Sequence, residues 1–240
     1  MTFSLNRMLA IAGKEWKDSV KNPQILLMAG MPIVFSILMK GQNALSEGNT
    51  IDSFTVPIMI AIAVVGAFVQ ALMISEEKEK NTLRALMLSP ASPVEVLLGK
   101  SAMTTVYTIA VMIVCMFITG VPAINIGYLA LFILLLLVVF MALGTSIGLI
   151  SRTASETSIV GLPILLFFVF GPIFAPGLKV SFVMDVISFI PSYHFMQGLS
   201  AIFLDEGIKQ VWLSLGNLLV WVILSTLLVF FIYGGKRFDK

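Results

Sequence analysis

The 240-residue chain has a single cysteine, Cys115, and a single histidine, His194. One cysteine excludes an intrachain disulfide and a cysteine-based metal site, and its place inside an apolar run reads as a small buried hydrophobe. One imidazole excludes the two- and three-histidine centres of hydrolytic zinc chemistry. Charge is scarce as well. Asp, Glu, Lys and Arg make up 12% of the residues and hydrophobic residues 58%, with a mean hydropathy of +1.02, whereas soluble domains carry about a quarter charged residues. That balance describes an integral membrane protein. The net charge of +2 is small and the basic residues are scattered among apolar runs, which argues against a nucleic-acid partner.

Six runs contain no charged residue: Pro23 to Met39, Thr55 to Ile74, Ser101 to Thr119, Tyr128 to Ile150, Ser158 to Ala175 and Trp212 to Tyr233. Each is near the ~20 residues needed to cross about 30 Å of hydrocarbon. Placing both termini in the cytoplasm puts 12 Lys and Arg inside and 3 outside, the arrangement the positive-inside rule prefers. The expectation is an all-α, multi-pass protein of the plasma membrane, a single transmembrane domain over residues 1–240.

Residues 1–22 hold an amphipathic pattern, with Leu5, Met8, Leu9, Ala12, Trp16 and Val20 on one face and Arg7, Lys14, Lys17 and Asp18 largely on the other. A helix lying at the membrane interface fits this pattern. It lacks the apolar core and small-residue cleavage site of a signal peptide, so it is expected to stay in the mature protein. The loop from Lys40 to Phe54 reads as a solvated connection and Gly120 to Gly127 as a turn. Gly144-Thr145-Ser146-Ile147-Gly148 offers a small-xxx-small face, as compatible with packing inside one subunit as with a dimer contact. Pro163, Pro172 and Pro176 predict a kinked or broken fifth span. The segment from Pro176 to Val211 is too rich in Phe, Ile, Val and Met for a solvated loop, and two short membrane-dipping helices separated near Pro191 satisfy its backbone. Gln70 is expected to make an interhelical hydrogen bond, and Asp185 and His194 to lie at the outer interface.

The densest polar stretch, Ile74 to Lys100, stands between two apolar runs. Asn81 or Thr82 can cap a short helix whose apolar side is Leu83, Leu86 and Met87. Pro90 ends that helix, and Ser92-Pro93-Val94-Glu95 starts the next with a capping box and proline at the first helical position. Residues 75–100 therefore form a cytoplasmic handle.

Glu76-Glu77-Lys78-Glu79-Lys80-Asn81-Thr82-Leu83, then Leu86, Ser89-Pro90-Ala91-Ser92 and Gly99-Lys100, resemble the cytoplasmic loop of ABC-2 type transporter permeases. The family usually has Gly before the Thr; Asn81 tolerates the same geometry. The resemblance extends more weakly through the spacing of the spans and through Phe189-Ile190-Pro191-Ser192-Tyr193-His194-Phe195. It implies a cytoplasmic coupling helix, a re-entrant helical pair between spans five and six, and a role as the membrane subunit of an ATP-driven exporter of an amphiphilic drug, antibiotic, peptide or lipid. It also implies two copies of a separate ABC ATPase that bind the ATP and magnesium, and a second permease, either another copy forming a homodimer or a similar partner. Glu76, Glu77, Thr82, Leu83, Leu86 and Met87 are the expected ATPase contacts, with Glu77 at a solvated rim. A non-transporting sensor or immunity protein, and a sodium-exporting permease, are the alternatives.

Two enzyme patterns are incomplete. Gly99-Lys100-Ser101 ends a P-loop motif, but Val94 stands at its first glycine position and no strand precedes it. Glu76-Glu77 opens the Glu-Glu-x-x-x-Arg pattern of intramembrane proteases, but Asn81 stands at the arginine position. No catalytic residue, cofactor or metal is expected in this chain, and any ATP must be hydrolysed by another polypeptide.

Overall fold

The computed structural model describes residues 4–45, 50–80, 93–178, 180–205 and 207–236, and every regular element among them is a helix. In chain order these are α1 (Leu5–Lys21), α2 (Pro23–Leu45), α3 (Thr50–Ile60), a π-helical stretch (Ala61–Phe68), α4 (Val69–Glu79), α5 (Pro93–Thr119), α6 (Ile126–Ile150), α7 (Ala154–Leu178), α8 (Ser181–Ile187), α9 (Pro191–Phe203) and α10 (Ile208–Lys236). Six helices are long and apolar enough to cross a membrane, with α3, the π stretch and α4 running on as one of them.

Local signals account for the helix starts. Asn22 breaks α1 from α2 and its side-chain oxygen accepts the Gln24 N–H at 3.0 Å, with Pro23 at the first helical position. Asn125 caps α6 in the same way through the Gly127 N–H. Pro93 opens α5. The connection expected between Lys40 and Phe54 is shorter than the composition suggests, because α2 continues to Leu45 and α3 starts at Thr50, where Ile51 and Phe54 are buried.

The second span is the axle of the bundle. It is buried almost throughout, whereas the other five expose large apolar side chains such as Leu27, Phe117, Ile159 and Phe231. Helices α2, α5, α6 and α7 pack around it. Apolar side chains gain little by leaving lipid for a protein interior, so helices in a membrane associate by close packing. Gly144 and Gly148 of α6 lie against Ala67 and Ala71 of the central span, so two small-xxx-small faces meet within one subunit. A Cβ on Gly144 would stand 2.2 Å from the Ala67 carbonyl oxygen. Gly144→Val is therefore expected to force the helices apart, costing about 1–3 kcal/mol and lowering the melting temperature in detergent. Gly216→Ala, where a Cβ meets nothing within 4 Å, should leave it unchanged.

The fifth span, α7, runs unbroken from Ala154 to Leu178 with Pro163, Pro172 and Pro176 inside it, so of the expected kink or break the break does not occur. Each proline removes one intrahelical donor, and neighbouring helices can hold the rest of the ladder in place. Between the fifth and sixth spans the chain forms two helices, α8 and α9, with Pro191 at the start of the second. Helix α9 packs on α6 and α10 and buries Phe195 and Leu199. Gly198 makes room there for the Phe132 ring, which a Cβ would meet at 2.3 Å. Trp221 of α10 donates its indole N–H to the Phe189 carbonyl at 2.6 Å, fixing the corner between α8 and α9.

Candidate functional site

The expected handle falls between the end of α4 and the start of α5. Thr82, Leu83, Leu86 and Met87 lie outside the described residues, so the site is built here from its two roots. At the first root, Glu76 to Lys80, each charged side chain has a separate structural task.

Glu76 is partly exposed and pairs with Lys80 one turn later at 3.4 Å. Glu77 turns inward, only 9% exposed, and its carboxylate lies 2.8 Å from the ammonium of Lys100, a lysine with no exposed surface. The expected solvated rim position does not hold for Glu77, because its helical register points it between α1 and α5. Lys78 donates to the backbone carbonyl of Leu149 at 2.7 Å, to that of Gly148 at 3.4 Å and to that of Ser151. These carbonyls lie at the C-terminal end of α6, where unpaired acceptors and the helix dipole favour a cation. Glu79 accepts the Ala154 N–H at 3.0 Å, at the N-terminal end of α7, where an anion is favoured. Lys78 and Glu79 thus clamp both sides of the α6–α7 turn.

The second root is Gly99-Lys100. Gly99 lets α1 approach, since a Cβ there would stand 2.9 Å from the Met8 carbonyl oxygen and 3.0 Å from the Ile11 side chain. Lys100 reaches the carboxylate of Glu15 on α1 at 3.0 Å as well as that of Glu77. Lys14 joins the group, 3.2 Å from Glu15, 3.8 Å from Asp18 and 3.9 Å from Glu77. Burial works against the Lys14 ammonium, but Glu15, Glu77 and Asp18 outweigh it and hold its pKa above the ordinary value. A cavity of about 360 Å³ lies beside this network between α1 and the end of α4. One turn before Gly99, buried Glu95 accepts from the Arg7 guanidinium at 2.9 Å and from the Ser4 N–H.

Helix α1 therefore docks by its polar side. Glu15 and Ser19 are buried against the bundle, while Leu5, Leu9, Trp16 and Val20 face outward. Deeper in the bundle, Gln70 donates to the Ser101 hydroxyl at 2.9 Å and the Thr145 hydroxyl at 3.4 Å, and accepts from Thr104 at 2.7 Å. The expected interhelical bond is there, and it ties the central span to both α5 and α6. His194 lies 3.5 Å from the Ser214 hydroxyl and edge-on to the Tyr193 ring at 5.6 Å. Among the described residues, no three His, Cys, Asp or Glu side chains converge as a metal site.

The expected contacts Glu76 and Glu77 are thus brought to one root but point in different directions. The partners that sequence reasoning missed are Glu15 and Lys14 on α1 and the caps made by Lys78 and Glu79. One trace of the first was legible: Arg7, Ile11, Glu15 and Ser19 recur every four residues, a largely polar stripe along the edge of the apolar one.

Mechanically, the Glu77–Lys100 contact closes the base of the segment between α4 and α5. Its roots are held together, to α1, and through Lys78 and Glu79 to the turn between α6 and α7. A force on residues 81–92 would reach four helices and the central span at once. No curated protein matches the chain. A family model described as ABC-2 family transporter protein matches residues 4–231, and the chain belongs to that family.

Proposed function

We propose that this chain, as a permease of the ABC-2 transporter family, is the membrane subunit of an ATP-driven exporter that moves an amphiphilic substrate out of the cell. Membership makes it the membrane component of an ABC-type transporter, associated with an ABC ATPase. The finer reading is a homodimer carrying two copies of that ATPase, with both termini cytoplasmic. Helix α1 then lies at the inner interface with its apolar face in lipid, and α8 and α9 dip into the outer leaflet as a re-entrant pair.

The observation that carries this reading is the 2.8 Å ion pair between Glu77 and the fully buried Lys100. A loop whose base is locked in this way transmits a push instead of absorbing it. Leu83, Leu86 and Met87 would dock in a groove of the ATPase, and ATPase closure would tilt α5 together with the central span. The handle thereby converts nucleotide state into the state of the transport path. The exposed apolar side of α1 supports the interfacial placement, and the uncharged interiors of the spans favour an amphiphile over a strongly charged solute.

The orientation is testable without knowing the substrate. With Cys115 buried in the background, a maleimide that cannot cross the membrane should label Asn49→Cys in intact cells and leave Lys80→Cys protected until the cells are opened. The reverse labelling would refute the topology and the cytoplasmic handle with it.

A further inference from the structure

At the end of the bundle opposite the charged junction, α2, the first turn of α3, the proline-bearing end of α7 and α9 enclose a cavity of about 460 Å³. Its wall is aromatic: Phe35, Phe170, Phe174 and Tyr193 all line it. Phe170 and Phe174 stack at 6.0 Å with 26° between their planes, and Phe35 lies 6.4 Å from Phe170. Half-buried Asp52 is the only charged side chain among the described residues of the lining.

Three features of this chamber favour the same kind of occupant. Aromatic faces present negative potential to a cation over the ring. A carboxylate in the lining of an apolar cavity favours a cation over an anion of the same shape. Pro172 and Pro176 also line the cavity, and Pro176 has no N–H for the carbonyl four residues earlier, which leaves the acceptor dipole of Pro172 without its usual intrahelical donor. The volume lies within the roughly 300–1,000 Å³ of sites that bury drug-sized ligands. A small inorganic cation would need several oxygen ligands at once, whereas the lining here is mostly apolar.

We propose that this chamber binds lipophilic organic cations, in which a quaternary or delocalised positive charge is carried on an apolar body. As a substrate site it rests on the exporter reading above; as a binding site it does not.

The test uses the full chain, without ATPase, in phosphatidylcholine nanodiscs, with empty nanodiscs subtracted. Tetraphenylphosphonium and tetraphenylborate have nearly the same shape and opposite charge. The cation should bind saturably and about tenfold or more tightly than the anion, the scale of one to two desolvated cation–aromatic contacts. Asp52→Asn should weaken cation binding several-fold and narrow the difference between the two ions, and Phe174→Ala should weaken cation binding while the protein remains monodisperse. Equal binding of the two ions, non-saturable cation uptake, or undiminished cation affinity in Asp52→Asn would overturn the assignment. The wild-type comparison of the two ions decides the matter even where a variant fails to fold. Because no ATPase is present, failure here leaves the exporter reading intact, and loss of ATPase association leaves the chamber intact.

Discussion

Leu86→Asp is expected to abolish co-purification of the ATPase subunit while leaving the melting temperature of the permease within about 2 °C of wild type. The first half follows from the spacing of Leu83, Leu86 and Met87, which is that of three apolar side chains on one helical face. A carboxylate buried in the middle of such a contact, with no partner, costs on the order of 3 kcal/mol or more, a loss of over a hundredfold in affinity. The second half follows from the roots: the ion pairs and caps from Glu76 to Lys80 and at Lys100 are made without residues 81–92. Leu83→Asp should behave alike. If these leucines instead packed on helix α1 of their own chain, Leu86→Asp would lower the melting temperature and the ATPase would still bind. Measuring both quantities on one preparation separates the two cases.

Lys100→Met should have the opposite signature, a large loss of stability. The substitution conserves much of the volume but removes the cation that lies 3.0 Å from Glu15 and 2.8 Å from Glu77, both largely buried. Stranding one partner of a buried ion pair costs about 3–5 kcal/mol. Lys14, 3.2 Å from Glu15 and 3.9 Å from Glu77, offsets part of this, so the lower end of that range is expected. Helix α1 should be the first element released, visible as faster proteolysis between Lys14 and Lys21. Adding Glu15→Gln and Glu77→Gln to Lys100→Met should recover most of the lost stability, because replacing a whole buried charge set is far cheaper than breaking it. A triple variant no more stable than the single one would mean that packing at Lys100, and not charge, holds the junction.

The features legible in the sequence are those with local causes. The uncharged runs, the Asn22-Pro23 break and the proline start of α5 are written in neighbouring residues, and six apolar helices contain the six runs, most of them extending beyond the run at one or both ends. Gln70 was legible because a buried amide in an apolar span must find a partner. The π stretch from Ala61 to Phe68 was not, since a uniformly apolar run carries no periodicity to reveal a change of winding. Proline content at α7 did not separate a kink from a break, because a proline removes one bond and tertiary packing decides whether the helix continues. The glycine face of α6 announced a close contact but not its partner, and only the fold pairs it with Ala67 and Ala71. The charged root was misjudged for the same reason. Glu77 looks like a rim residue among its neighbours, and its partners lie far away in the chain on Glu15's helix and at Lys100.

The most direct measurement is ATP-dependent uptake of a fluorescent lipophilic cation into inside-out vesicles holding the permease and its ATPase. Wild type should concentrate the dye when ATP is supplied and release that gradient when ATP is exhausted, while Leu86→Asp vesicles, with the same amount of folded permease, should show uptake no greater than without ATP. A Leu86→Asp permease that still drives ATP-dependent uptake at the wild-type rate would contradict transmission through the handle, and with it the coupling proposed here.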